Sequence, residues 1–514
     1  MNDKKADNTQ TVIFTDIIFK IIAQLYFNSL LVQFKIYKIQ DRDLTRMIHI
    51  DKVYINGEFV KPHGTKTLTL INPDTLDEIG KVTLCDQKDA AYAIKCAKEA
   101  FKTFSKTSIQ ERGEILQRLY NAMSKREDEL NAAVLMEYGS PISATKGRTR
   151  FAKNSFLTAR EQMNKFEFER FLEDGSRILK APLGVVAAIA PWNANYTHIC
   201  QKLAPAIAAG CTVVFKPSEY SAIETQILCE CFEEARIPKG VINIVNGIGE
   251  EIGSYIVKHK DIALINFTGS TKVGREISKN AAKMIKRTIL ELGGKSPNVI
   301  LDDADLTTAI PNALKIAFSN SGQACHAGSR LYVHESKLKI VCEMLVEAVK
   351  EIKIGNIHDE ECYMGPLINQ AQFDRVQSYI ASGIKEGAKV LTGGLGRLER
   401  LKGYYAKPTI FTNVKANMKI AREEIFGPVL CVFTYKSEQE AIKLANDTIY
   451  GLAGYVSGTD LKRAKRVAEQ IFAGWVYINK GIYEGKGVIP HVGAKQSGIG
   501  TNSIDDYLQF RFIS

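Results

Sequence analysis

Three kinds of side chain that together perform acyl-transfer chemistry stand out in the chain. Cys325 closes the run Ser321-Gly-Gln-Ala-Cys325 and is flanked from Ser319 to Ser329 by small and polar residues. A lone cysteine is most often a small buried hydrophobe, so these flanks, which follow no core pattern, single it out. Upstream, Glu291-Leu-Gly-Gly-Lys-Ser-Pro297 sets a carboxylate beside two glycines, residues that permit close backbone approach. Asn193 in Pro191-Trp-Asn193 adds an amide. A thiolate nucleophile, a carboxylate base and an amide donor form a set for thioester chemistry. Spacing alone leaves Glu291 open to being a surface carboxylate and Asn193 to being a helix cap.

A second group suits a dinucleotide. Gly247-Ile-Gly-Glu-Glu-Ile-Gly253 follows a strand, but its spacing is not G-x-G-x-x-G, and alone it reads equally as a tight turn. Lys216-Pro-Ser-Glu219 ends the preceding strand. A lysine and a glutamate there can bond ribose hydroxyls, the acidic group favouring NAD over a 2′-phosphate. Phe267-Thr-Gly-Ser270 opens a helix, whose free N–H groups suit a pyrophosphate. Together the three point to a dinucleotide site.

The elements that must carry these residues are legible as pattern. Residues 88–135 repeat apolar positions at three and four, a helical period, until Gly139 and Pro141 break it. Beyond residue 182, short apolar runs (184–191, 212–217, 240–247 and 263–270) alternate with helices, one of them opened by a capping box at Ser221–Glu224. Such alternation predicts parallel βαβ units in an open doubly wound sheet. Ligands bind beyond the carboxyl ends of such strands, where the polar and glycine motifs fall. A second α/β region spans 294–495, and YLQFRFIS at the C-terminus suits an edge strand. Val53–Val60 reads as a hairpin with an Asn56-Gly57 turn.

Composition bounds the rest. The chain has 514 residues, 45% hydrophobic and 24% charged, ordinary globular values that exclude disorder and a small disulfide scaffold. Lys plus Arg is 68 against 57 acidic residues, a net +11 with no clustered run, so no nucleic-acid partner is expected. Ten scattered cysteines without a Cys-x-x-Cys pair indicate buried thiols in a reducing, cytoplasmic setting and no structural metal. The apolar stretch 17–37 is interrupted by Lys20 and Lys35, and its charge-free core falls short of the roughly 20 residues a membrane span needs. Residues 1–46 therefore read as an extension ahead of a body that begins near Met47.

In order, the chain carries Pro191-Trp-Asn193, Lys216-Pro-Ser-Glu219, Phe267-Thr-Gly-Ser270, Glu291-Leu-Gly-Gly-Lys-Ser-Pro297, Gly322-Gln-Ala-Cys325, Glu424-Ile-Phe-Gly-Pro428 and Lys495-Gln-Ser-Gly498. From about residue 50 to the C-terminus this series resembles the aldehyde dehydrogenase superfamily. The resemblance implies an α/β fold of three domains in a homodimer or homotetramer. A doubly wound NAD-binding domain would take 47–163 and 183–293, an α/β catalytic domain 294–495, and a small β-hairpin oligomerisation domain 164–182 with 496–514. By the same resemblance Cys325 is the nucleophile, Glu291 the general base with a pKa raised by burial, and Asn193 the oxyanion donor with the Cys325 N–H. Lys202 matches a lysine that some members use in a proton relay. Lys216, Ser218 and Glu219 would hold the adenosine end of NAD, Gly249, Phe267, Gly269 and Ser270 the pyrophosphate region. Glu424 would hold the nicotinamide ribose and Phe426 pack near the nicotinamide, with Trp192 also at the cofactor. The implied reaction is oxidation of a small-molecule aldehyde to its acid with NAD and water.

The chain departs from the family pattern in three places. Pro490-His-Val-Gly-Ala-Lys495 replaces the usual Pro-Phe-Gly-Gly-x-Lys, Thr501-Asn502 replaces Arg-Glu, and Ala194-Asn-Tyr follows Asn193 in place of bulk. The second removes a carboxylate that some members place near the base. His198, His326 and His491 align near the substrate tunnel and favour a polar or short aldehyde over a long alkanal. A CoA-acylating or phosphate-ester-specific relative is the rival within the superfamily, and a silent crystallin-like or scaffold protein the rival outside catalysis. Retention of Glu291 favours hydrolysis, and retention of Cys325 favours an enzyme.

Overall fold

Each apolar strand run is buried on both faces, which is why it lacks the alternation of a half-exposed strand. In the computed structural model, Val185–Ile189, Thr212–Lys216, Ile242–Ile244, Ile262–Thr268 and Arg287–Glu291 form one parallel sheet. Val186 and Ala188 pack against Ile199, Leu203 and Ile207 of the helix Asn195–Ala209. Val185, Ala187 and Ile189 face the opposite way, onto Ala90, Ile94 and Ala97 of the helix Gln87–Phe104. Across the sheet the order is 242–244, 212–216, 185–189, 262–268, 287–291. The chain thus steps outward twice from Val185–Ile189 and then returns to its other side. That reversal is a topological switch point, the crevice where open α/β sheets bind ligands. Ile189 pairs with both Lys216 and Phe267, and Thr268 pairs with Glu291, so the motif-bearing ends share one edge.

The structure describes residues 47–481 and 493–514; the extension 1–46 and Pro490-His-Val492 lie outside the described residues. Residues Ile50–Ser514 form one unit, which holds all that follows. A second sheet runs 389–392, 409–412, 429–435, 330–334, 297–300, 453–457, 475–478, all within the predicted second α/β region. Cys325 lies on the connection into its strand Arg330–His334. Three antiparallel strands, Glu169–Phe171, Arg177–Pro182 and Leu508–Ile513, form a separate sheet. Its outer strands expose Phe171, Phe510 and Phe512 by 66%, 70% and 63%. Residues 496–514 serve two sheets, because Gly498–Ile499 pairs antiparallel with Leu290 and Glu291. The hairpin Val53–Ile55/Glu58–Val60 turns at Asn56 and Gly57, with φ 57° and 79°, values of a type I′ turn. Among the described residues no helix is long and apolar enough to cross a membrane.

One local expectation fails. Ser221 precedes the helix Ala222–Glu234 with φ −130° and ψ 44° and makes no side-chain cap, so the Ser221–Glu224 capping box does not form. Glu137, from the end of the helix Glu127–Tyr138, caps it instead. Its two carboxylate oxygens accept from Ile223 N at 2.6 Å and Glu224 N at 2.8 Å. A buried carboxylate aimed down the axis satisfies two orphan donors and complements the helix dipole, so it displaces the weaker local hydroxyl. Glu137→Ala leaves both donors buried without that partner and is expected to cost about 2 kcal/mol. The readout is a lower urea midpoint; an unchanged midpoint would show that other groups cap this helix.

Candidate active site

The site forms where the turns beyond the two main sheets cross. Glu291 is the last residue of its strand, and its turn continues through Gly293 and Gly294. A Cβ on Gly294 would collide with the Cys325 carbonyl oxygen, and one on Gly293 with the Glu424 carboxylate. The two glycines therefore let the Glu291 turn, the Cys325 loop and Glu424 meet. Gly294 N donates to Glu424 Oε1 at 3.1 Å. Ser497 locks the turn from outside, its hydroxyl donating to Gly293 O at 2.7 Å and its carbonyl accepting from Leu292 N at 2.7 Å.

Around Cys325 the backbone is unusual. Asn320 and Ser321 take φ of 55° and 56°, and Gly322 72°. A Cβ on Gly322 would strike Gly427 O. Buried Gln323 pins this loop, accepting from Ile368 N at 3.0 Å and donating to Tyr138 OH at 3.2 Å. Asn193 is no helix cap, for Ala194 holds that position. Its Nδ2 donates to Gln323 O at 3.0 Å, two residues before Cys325, which leaves its second N–H. Burial, then the Glu424 and Glu291 carboxylates, push the Cys325 thiol up to about 12.

Glu291 accepts from Thr268 Oγ1 at 2.9 Å, and Lys202 Nζ stands 4.0 Å from its Oε2. Burial lowers the Lys202 pKa and the Glu291 charge raises it. Burial pushes Glu424 up to about 7 against the Gly294 N–H. Its loop is held by Arg375, which donates to Glu424 O at 2.7 Å, and by Gln372, which donates to Phe426 O at 2.6 Å. Phe426 packs edge-on to Trp192 at 5.4 Å.

The second group lines the same sheet edge. Lys216 Nζ bonds Glu219 Oε2 at 2.7 Å, and a Cβ on Gly249 would stand 4.0 Å from that Nζ. Buried Ser218 accepts from Tyr220 N at 3.3 Å. Ser270 caps the helix Thr271–Ala282, accepting from Val273 N at 3.3 Å. Gly269 leaves the space that the Phe267 ring fills. His198 and His326 are half-buried, and the His326 carbonyl accepts from Tyr455 OH at 2.9 Å. His491 lies outside the described residues. Sequence reasoning missed Thr268 and Gln323, although both sit inside quoted motifs. It also missed Ser497, inside the quoted Lys495-Gln-Ser-Gly498, and Gln372 and Arg375, which act from a separate segment.

The sequence profile described as "Aldehyde dehydrogenase family" matches residues 59–513. The chain belongs to this family. A 3-succinoylsemialdehyde-pyridine dehydrogenase from a Pseudomonas species is 42% identical over 467 residues, 90% of this chain and 97% of that protein. A putative aldehyde dehydrogenase of Staphylococcus saprophyticus is 41% identical, over 91% of this chain and 99% of that one. Aldehyde dehydrogenase C of Pseudomonas syringae, crystallised as a mutant with NAD+ and octanal, superposes with a TM-score of 0.87. It is 38% identical, over 90% of this chain and 96% of that one. Betaine aldehyde dehydrogenase of Staphylococcus aureus, crystallised with NAD+, gives 0.88 at 35% identity, over 92% and 97%.

The raised thiol has a measurable consequence. Only the thiolate attacks an alkylating agent, and a pKa of about 12 keeps that form scarce across neutral pH. In the free protein, iodoacetamide labelling of Cys325, followed by mass spectrometry, is expected to rise about tenfold per pH unit from 7 to 9. A plateau near pH 7 would refute the raised value.

Proposed function

We propose that the protein oxidises an aldehyde to its carboxylic acid with NAD and water, through a thiohemiacetal and a thioester on Cys325. The crossing at Gly294 carries this reading, because it sets the Glu291 turn against the Cys325 backbone. Asn193 reaches the same loop from the first sheet.

Cys325 loses its proton to Glu291 as Sγ bonds the aldehyde carbon, and the carbonyl electrons move to oxygen. That oxyanion meets the free N–H of Asn193 and the Cys325 N–H, each such donor being worth about 3 kcal/mol of barrier. NAD, when bound, supplies the two-electron oxidant that converts the thiohemiacetal to a thioester. Glu291, relieved of its proton, then takes one from water. The resulting hydroxide adds to the thioester carbon, the C–S bond breaks, and the acid leaves. Lys202 supports the charge on Glu291. Retention of Glu291 favours this hydrolytic ending over transfer to CoA.

The other group fits NAD. At the switch point the exposed cap Ser270 and the helix behind it offer N–H groups to a pyrophosphate. The Lys216–Glu219 pair leaves one carboxylate oxygen for a ribose hydroxyl and disfavours a 2′-phosphate. Ser218, Gly249, Phe267 and Gly269 shape that edge, Glu424 would take the nicotinamide ribose, and Trp192 and Phe426 wall the ring. In the domain organisation we infer, 47–163 and 183–293 bind NAD and 294–495 carry the catalytic loop. The sheet formed by 164–182 and the C-terminal segment, with its exposed phenylalanines, supports a homodimer or homotetramer. The ten unpaired cysteines support a cytoplasmic setting.

Cys325→Ala is expected to lower NADH formation about a thousandfold or more with NAD binding intact. Glu291→Gln should give an NADH burst followed by slow turnover, whereas equal loss of burst and turnover would place the base elsewhere. The same assay reads the substrate expectation, since kcat/KM should favour a short hydroxyaldehyde over octanal.

Cofactor affinity should depend on pH through Glu424. Only its ionised form accepts from both ribose hydroxyls, and its pKa is held up at about 7. Affinity is therefore full above that pH and falls as pH drops through it. NAD titrations between pH 6 and 8.5 should show this slope, and Glu424→Gln should flatten it; the same slope in that variant would refute the assignment.

A further inference from the structure

Lys202 is 1% exposed, and Glu291 is the carboxylate it faces. A buried ammonium with one ion-pair partner at 4.0 Å needs further acceptors to keep its place. The structure supplies one, for Lys202 Nζ donates to Asn266 Oδ1 at 2.5 Å. Asn266 cannot turn that oxygen away without loss. Its Nδ2 donates to Tyr507 OH at 2.6 Å and to Asn502 Oδ1 at 2.8 Å, and a flipped amide would lose both and set NH2 against the ammonium. Tyr507 OH donates in turn to Asn502 Oδ1 at 2.8 Å, with Lys202 O at 3.3 Å. Asn502 Nδ2 donates to Gln201 O at 3.3 Å. The ring thus closes on the helix that carries Lys202.

We propose that Tyr507, Asn266 and Asn502 are positioning residues that hold Lys202 against Glu291 through a ring of neutral hydrogen bonds. The C-terminal segment thereby becomes part of the hydrolytic machinery. The inference rests on the reading of Glu291 as the base that hydrolyses the thioester. Neutrality is its physical point. Amides and a phenol satisfy the ammonium hydrogens without cancelling its charge, so the field of Lys202 on Glu291 is kept whole. Burial keeps Tyr507 a neutral phenol by pushing its pKa far up. Glu291 is the titratable group that acts on Lys202, and its charge is also felt by Cys325 and Tyr507. Tyr507 is also anchored from behind. Its carbonyl accepts from Leu183 N at 3.0 Å and from Cys211 Sγ at 3.3 Å, just before the strand Leu508–Ile513.

The test uses two variants of the full chain, with an aldehyde that the wild type oxidises. Tyr507→Phe is expected to lower steady-state kcat about fivefold, with the NAD dissociation constant little changed. The deuterium isotope effect from aldehyde labelled at C1 should fall towards one, since hydrolysis and not hydride loss is slowed. Asn502→Asp places a second carboxylate beside Lys202, which shares its charge. The acid limb of the kcat–pH profile should then move up by about one pH unit. Unchanged kcat, isotope effect and acid limb in both variants would overturn the proposal. So would a Tyr507→Phe protein that loses cofactor binding and turnover in equal measure, the mark of a merely structural residue. Wild-type protein that yields no NADH from any aldehyde would instead defeat the function on which the inference rests.

Discussion

The site depends on backbone surfaces that meet with no side chain between them. Gly294 lies against the Cys325 carbonyl and Gly322 against the Gly427 carbonyl, while Gly293 makes room for the Glu424 carboxylate. Each crossing joins a turn of one sheet, or of one loop, to another with its own distant anchor. Two sheets with separate cores can place catalytic groups to within hydrogen-bond precision only if their end turns touch directly. A single methyl group at Gly294 or Gly322 would part them by more than the tolerance such chemistry allows. Ser497 then stitches the joint with two 2.7 Å hydrogen bonds. Precision here comes from absent atoms.

That closeness has an electrostatic cost. Packing Cys325 between two carboxylates in a poorly solvated place raises its thiol pKa, and Glu424 rises towards neutrality for the same reason. Fixed surroundings thus favour a neutral thiol, unlike cysteines activated by nearby cations or helix N-termini. In the mechanism proposed above, the sulfur ionises by passing its proton to Glu291 as it attacks. The same low polarity strengthens the oxyanion donors and the Lys202–Glu291 attraction. Under the proposed mechanism, a site that costs charge at rest stabilises charge where the reaction creates it.

Much of this was legible in the chain because it is local. Strands buried on both faces appear as unbroken apolar runs, and 184–191, 212–217, 240–247 and 263–270 each hold a strand. The motif residues sit at strand ends, so finding the strands located the site's edge. The Ser221–Glu224 box matched a local rule and failed, because tertiary structure offered a stronger cap in Glu137, 86 residues upstream of Ile223. The Lys216–Glu219 bond was equally hidden; the sequence offers two side chains suited to a ribose, not that each is the other's partner. Gln372 and Arg375 hold the Glu424 loop through its carbonyls, and a backbone acceptor has no sequence signature.

The departure at Thr501-Asn502 marks the limit of motif reading most clearly. Taken alone, an amide in place of a carboxylate looks like a loss beside the base. In the fold, Asn502 lies 236 residues from Asn266 in the chain and 2.8 Å from it in space. Asn266, not a position the motifs single out, supplies the acceptor that Lys202 uses. An amide can do this because its two ends differ: the oxygen serves the ammonium while the nitrogen serves Asn502 and Tyr507. A carboxylate at 502 would accept from the same phenol and amide but add a second negative charge near Lys202, weakening its hold on Glu291. The two amides and the phenol therefore make sense only as a set, and the set is assembled by packing, not by spacing.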